Sequence, residues 1–398
     1  MKGGLVMSIA SKKVDSLPPY LFAKFQEKKE ELQAKGVDVI DLGIGAPDLP
    51  TPNFVIDALI EEAKKSENHR YSPYDGCSEF KEAVATFYKN YYDVTLDPET
   101  EVLTLIGSKE GLAHLMQAVL DSGDQVLLPD PGYPVYSTAV HLAEAKYYPL
   151  PLERANGYVP CYDEIPDEVI EQAKLMLLNY PGNPTAATVD SAVFEQAISF
   201  AKENNLMIAH DSAYNLVTFD GYKAPSILQV PGAKNYAVEF GSLSKSFNMT
   251  GWRIGYVVGN KDVIKALSVL KSNLDSSQFL AIQKAAATAL TSDLSTVQEH
   301  NAVFEKRRDI LVKALRKIHI DVDSPKGTIF VWAKVPGHFT SLSFANLLLE
   351  KAGIIVTPGS AFGPTGEGYV RIALTVSVEK FAEVTRRLEK LHIEEAFN

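Results

Sequence analysis

Cysteine is scarce: the 398 residues hold two, Cys77 and Cys161, far apart in the chain. That excludes a disulfide framework and a paired-cysteine metal site, and a reducing, cytoplasmic setting is expected. No run approaches the ~20 apolar residues of a membrane span, and the opening MKGGLVMSIASKK lacks the apolar stretch of a signal peptide. Positive charge is also short. Lys and Arg total 39 against 50 Asp and Glu, a net charge of −11, which argues against a broad nucleic-acid or anionic-membrane surface. There is no fixed-period repeat, no low-complexity tract, no Gly-Lys-Ser/Thr phosphate loop, no G-x-S-x-G elbow and no H-E-x-x-H or C-x-x-C. The 8 histidines include no pair at metal-ligand helical spacing, so no catalytic metal is expected. Gly43 and Gly45 begin a G-x-G, but Asp48 stands where a dinucleotide fingerprint needs its third glycine.

What is present is ordinary globular composition, 46% hydrophobic and 22% charged, in a chain long enough for two domains. Short apolar runs at Val102–Ile106, Gln125–Leu128, Lys174–Asn179, Leu206–His210 and Ile254–Val258 alternate with helical periodicity at Lys109–Leu120, Ser191–Asn204 and Lys261–Lys271. This alternation predicts an α/β fold with a mostly parallel central sheet between helices. Leu17–Lys35 reads as an amphipathic helix ended by Gly36, and Val303–Ile318 as another. After Pro325 the pattern predicts strands at Gly327–Lys334, Ile354–Val356 and Gly368–Leu374, a helix near Leu342–Lys351 and a terminal helix. The expected division is a large domain over 51–295 and a smaller α+β domain built from 1–50 and 296–398.

The richest segment is Ser242-Leu-Ser-Lys-Ser-Phe-Asn-Met-Thr-Gly-Trp-Arg253-Ile-Gly255. A lysine amine condenses with aldehydes, and hydroxyls with an arginine eight positions on can hold a phosphate; together they suit pyridoxal phosphate. Asn179-Tyr-Pro-Gly-Asn-Pro-Thr185, His210-Asp-Ser-Ala-Tyr214, Asp130-Pro-Gly-Tyr-Pro-Val-Tyr136 and Gly366-Glu-Gly-Tyr-Val-Arg371 accompany it in order.

With these motifs the chain resembles, over nearly its whole length, the class I and II aminotransferases, the aspartate-aminotransferase-like family of fold-type I pyridoxal-phosphate enzymes. The resemblance implies that Lys245 tethers the cofactor as a Schiff base and moves the substrate's Cα proton. Asp211 pairs with the pyridine nitrogen, Asn183 and Tyr214 hydrogen-bond the phenolic oxygen, and Tyr133 stacks on the ring. Gly107, Ser108 and Lys109, at a strand-to-helix turn, join Ser242, Ser244 and Arg253 around the phosphate. Arg371 grips the substrate α-carboxylate, with Gly45 and Asn183 beside it. Tyr71 matches a tyrosine reaching the phosphate of the neighbouring subunit, which implies a homodimer with shared sites. One departure stands out: Ala186 replaces the glycine of the family's N-P-T-G, so the backbone after Thr185 is expected to lack a positive φ.

The implied reaction is ping-pong transamination between an L-amino acid and a 2-oxo acid. The motifs look closest to the aspartate, LL-diaminopimelate and methionine-side aminotransferases, which favours 2-oxoglutarate or glutamate as one partner. A carbon–sulfur β-lyase of the same fold is the alternative, because it begins with the same proton abstraction. A non-catalytic cofactor sensor fused to a DNA-binding domain is disfavoured, since only about fifty residues precede the large domain and they show no winged-helix pattern.

Overall fold

The structure, a computed structural model, describes residues 9–17, 29–31 and 33–391. Most of the expected helix Leu17–Lys35 lies outside the described residues. Among the described residues no helix is long and apolar enough to cross a membrane.

Twelve strands occur in the described residues: β1 (Ile40–Asp41), β2 (Val102–Leu105), β3 (Gln125–Asp130), β4 (Lys146–Pro151), β5 (Ala173–Asn179), β6 (Met207–Asp211), β7 (Ala237–Ser242), β8 (Gly255–Gly259), β9 (Phe330–Lys334), β10 (Ile354–Ile355), β11 (Thr357–Pro358) and β12 (Tyr369–Ala373). Seven form one sheet in the order β2-β8-β7-β6-β5-β3-β4. β8 runs antiparallel to both its neighbours, and every other pair is parallel. Parallel strands joined by helical crossovers are covered on both faces and so read as unbroken apolar runs. Successive residues accordingly enter opposite cores, with Ile208 and Ala237 on one side and Ala209 and Val238 on the other. Helices Ser108–Val119, Val135–Leu142 and Lys261–Ser272 pack on one face, and Ser78–Tyr92, Ser191–Glu203 and Leu280–Leu290 on the other. This is the α/β fold the alternation predicts.

Two strands of this sheet were not signalled by apolar runs. β4 is the sheet edge, carries Pro149 and Pro151 and is largely exposed, a pattern that blunts an edge against further pairing. β7 is central and wholly buried, but Glu239 and Gly241 interrupt its apolar character. Glu239 is tolerated because four donors surround its carboxylate: Tyr88 Oη at 2.6 Å, Ser226 Oγ at 2.8 Å, Ile227 N at 3.0 Å and His210 Nδ1 at 2.8 Å.

A second core lies against helices Ser295–Lys317, Ser341–Ala352 and Val378–Glu389, a three-stranded antiparallel sheet in the order β11-β12-β9, and the parallel pair β1-β10. Ile40 and Leu42 belong to it, so the segment near residue 40 packs with the C-terminal third of the chain. Ala213, Tyr214, Val217 and Phe219, from the loop after β6, join the same cluster. The C-terminal ends of β5, β6 and β7 therefore open toward the second core, and an α/β sheet offers its ligand crevice at those ends.

Candidate active site

A cavity of about 460 Å³ occupies this junction. Strand register sets its floor: Asn179 and Asp211 are paired at the ends of β5 and β6, and Ser242 ends β7 opposite Gly255. Gly45, Ser108, Lys109, Tyr133, Asn183, Asp211, Tyr214, Ser242, Ser244, Lys245, Arg253 and Arg371 all line it. Residues from seven separate stretches of sequence thus meet in one place. Gly107 stands just behind the wall, where a Cβ would come within 2.2 Å of Arg253 Nη2, so only glycine lets that guanidinium approach. Tyr71 is not brought to the cavity of its own chain; it is 92% exposed.

Lys245 lies in the short helix Leu243–Ser246, whose N-cap Ser242 accepts from Ser244 N. Its Nζ donates to the Gly45 carbonyl at 2.8 Å and stands 6.0 Å from the Tyr214 ring centre. Burial, and then repulsion from Arg371 and Arg253, bring the amine down to about 8, against a weaker opposing pull from Asp211. A lysine so placed is a free amine in a useful fraction of molecules near neutrality, as nucleophilic attack requires.

Asp211 is buried at the end of β6. Its Oδ2 accepts from Tyr136 Oη at 2.7 Å and its Oδ1 from Ala213 N at 3.3 Å, while Asn179 Nδ2 fixes its carbonyl at 2.8 Å. Burial raises its pKa, and the Tyr136 hydroxyl works against that rise. A buried carboxylate held by neutral donors calls for a cation, and a protonated ring nitrogen supplies one. Tyr136 ends a motif quoted above without a role for itself; only the fold shows that residues 75 apart in sequence meet.

The phosphate end is equally specific. Helix Ser108–Val119 starts at Gly107 with φ +86° and no side-chain cap, so its first amides and dipole face the site beside Arg253. Arg253 itself adopts φ +54° and donates from Nη1 to Thr250 O at 3.0 Å. An uncapped helix end, an arginine, three serines, a buried carboxylate, an aromatic wall and a depressed lysine in one cavity fit pyridoxal phosphate from end to end.

Across the cavity Arg371, 3% exposed, is clasped between the rings of Phe330 and Phe362, 4.1 and 4.8 Å from their centres. Nη1 donates to Asn183 Oδ1 and Nη2 to Gly43 O, each at 2.8 Å. Those acceptors fix the guanidinium in the wall of the cavity that Lys245 also lines. Phe330, Thr250, Asn179, Ile44 and Ala46 also line the site. Asn179 and Thr250 lie within quoted motifs but carried no role of their own, whereas Phe330, Ile44 and Ala46 acquire one only through packing.

The expectation about Ala186 is corrected. Its φ is +56°. The loop keeps the glycine-like geometry because Ala186 N donates to Gly182 O at 3.0 Å and Gly182 N to Ala187 O at 2.9 Å. The left-handed conformation is held by these bonds at a cost of about 1 kcal/mol for a residue bearing Cβ. One group of metal-ligating type occurs among the described residues, Glu110, His114 and Asp275. Lys271 Nζ already reaches Glu110 at 3.3 Å and Asp275 at 2.9 Å there.

Comparison with known proteins agrees with this geometry. The profile of "Aminotransferase class I and II" matches residues 37–388. The LL-diaminopimelate aminotransferase of Moorella thermoacetica is 49% identical over 381 residues, covering 96% of this chain and 98% of the relative. That of Syntrophobacter fumaroxidans is 48% identical over 383 residues, with coverage of 96% and 99%. Among solved structures, substrate-bound BacF from Bacillus subtilis superposes with a TM-score of 0.93 at 39% identity, covering 97% of this chain and 98% of that one. The chain belongs to the class I and II aminotransferases. It is a fold-type I, pyridoxal-phosphate-dependent aminotransferase acting on amino acids and 2-oxo acids.

Proposed function

We propose that this enzyme takes an amino group from LL-diaminopimelate and delivers it to 2-oxoglutarate, giving glutamate. The donor rests on relatives of that name at 45–49% identity over almost the whole chain, and the acceptor on the motif pattern. The observation that carries transamination itself is the Lys245 amine, lowered to about 8, in one cavity with Asp211 and Arg371. Nothing in the site favours β-elimination.

In this reading Lys245 holds the cofactor covalently, then stands free beside the substrate to carry its Cα proton. Bound pyridoxal phosphate supplies the electron sink that makes that proton acidic. Asp211, hydrogen-bonded by Tyr136, would hold a positive charge on the ring nitrogen. Asn183 and Tyr214 would donate to the cofactor's phenolic oxygen, and Tyr133 would supply an aromatic wall for its ring. Ser108, Lys109, Ser242, Ser244 and Arg253 bind the phosphate, with Gly107 leaving room for Arg253. Arg371, Gly45 and Asn183 receive the α-carboxylate, which points the Cα–H bond toward Lys245.

The exposed Tyr71 reaches the site of a second subunit, so the working unit is a homodimer. The segments 1–50 and 296–398 act as a smaller domain against 51–295, and its closure excludes water from the cavity. Single-turnover mixing of the holoenzyme with LL-diaminopimelate alone tests the donor: loss of the cofactor's visible absorbance band, restored by 2-oxoglutarate with release of glutamate, is expected. Elimination of a thiol from a β-thio amino acid such as cystathionine, with release of pyruvate and ammonia, would instead establish a lyase.

A further inference from the structure

The long helix Ser295–Lys317 touches segments that carry or adjoin the reacting groups. His300 Nδ1 meets Asn248 Nδ2 at 2.6 Å, three residues beyond Lys245. Asn301 donates to Leu216 O at 2.7 Å, in the loop after Tyr214. One turn and a half further on, Arg307 makes the most constrained of these contacts. Its side chain is 3% exposed, and it forks onto Asp48, Nη1 to Oδ1 at 2.6 Å and Nη2 to Oδ2 at 2.8 Å. The same Nη1 donates to Leu374 O at 2.9 Å.

Asp48 ends the segment that begins at Gly43, and Leu374 follows directly on β12, which bears Arg371. Between these two anchors the strands of chain are zipped together. Ala373 N donates to Leu42 O at 2.7 Å, Arg371 Nη2 to Gly43 O at 2.8 Å and Thr375 Oγ1 to Ile44 O at 2.9 Å. The next carbonyl, Gly45 O, receives the Lys245 amine. Consecutive carbonyls of one short segment therefore set the position of Arg371 and Lys245 relative to each other. Neither Arg307 nor Asp48 lines the cavity.

We propose that Arg307 is a positioning residue: by clamping Asp48 and Leu374 at once, it fixes the distance between the carboxylate-gripping arginine and the lysine. A lysine cannot replace it. One ammonium supplies a point charge where three bonds in a planar fork are needed. The proposal rests on the carboxylate role given above to Arg371, and the test separates the two.

The probe is 2-aminoisobutyrate, which carries an α-amino and an α-carboxylate group but no Cα–H, so its binding is read without turnover from the absorbance of the holoenzyme. Arg307→Lys and the gentler Asp48→Asn, at a carboxylate 31% exposed, should each weaken that binding about tenfold. Affinity for pyridoxal phosphate should stay at the wild-type value, and Asp48→Glu should recover part of the loss. Arg371→Lys serves as the reference. If it weakens 2-aminoisobutyrate while both clamp variants bind as wild type, the proposal falls and the Arg371 role stands. If none of the three weakens it, both fall. Parallel loss of cofactor affinity in both clamp variants would show a general structural role and also overturn the proposal.

Discussion

Replacing Lys245 by methionine should make the cofactor-free protein more stable at neutral pH, the reverse of what deleting a buried hydrogen bond ordinarily does. The amine is buried and its pKa falls from an ordinary 10.5 to about 8, so the fold penalises the ammonium form. The sign follows from linkage: the penalty is complete below about pH 8, fades as the unfolded chain also loses its proton, and is gone above about 10.5. That fall corresponds to about 3 kcal/mol. Losing the 2.8 Å bond to Gly45 O returns about 1 kcal/mol. The net gain is about 2 kcal/mol, which for a chain this long raises the unfolding midpoint by about 2–3 °C. Differential scanning calorimetry of both apoproteins at pH 7 and above pH 10 measures it. A variant less stable than wild type at pH 7, or a difference that does not shrink at high pH, would refute the reasoning.

Four further outcomes are expected. Asp211→Ala should slow Cα deprotonation severely in single-turnover experiments while leaving cofactor loosely bound; near-normal rates would remove the residue from its role. Tyr136→Phe leaves the Asp211 carboxylate without its 2.7 Å donor and should weaken cofactor binding about tenfold by equilibrium dialysis, since a hydrogen bond to a charged group is worth about 1.5 kcal/mol. Ala186→Gly should stabilise the protein by about 0.5–1 kcal/mol in denaturant unfolding, because glycine meets no resistance at φ +56°. Tyr71→Phe should lower cofactor affinity in a sample shown by sedimentation to be dimeric; unchanged affinity would dissociate this tyrosine from the neighbouring site.

Much of this was legible in the chain because the chemistry is concentrated in short motifs at strand ends. Asp211 and Asn183 follow apolar strands that a parallel sheet necessarily brings together at their ends, and Ser242 was marked by its motif with Lys245. What escaped notice depends on distance in sequence. Tyr136 reads as one of 18 tyrosines until β3 and β6 lie in one sheet. Phe330 reads as an ordinary strand residue until β9 pairs with β12 and sets it against Arg371. Arg307 and Asp48 are 259 positions apart and look like surface charges until the helix folds back. The Ala186 expectation failed for a related reason: a propensity argument sees a methyl group, whereas two loop hydrogen bonds decide the dihedral angle. β7, with Glu239 at its centre, shows the same override, since four donors make a buried carboxylate tolerable.

The most direct test of the central claim is an absorbance titration of the purified enzyme with single amino acids in the absence of any oxo acid, comparing wild type with Lys245→Ala. The account predicts that wild type shows a visible cofactor band that LL-diaminopimelate converts to a near-ultraviolet one while an equivalent of oxo acid appears, and that the variant shows neither change. A wild-type protein that takes up no pyridoxal phosphate, or a Lys245→Ala protein that still completes the conversion, would contradict it.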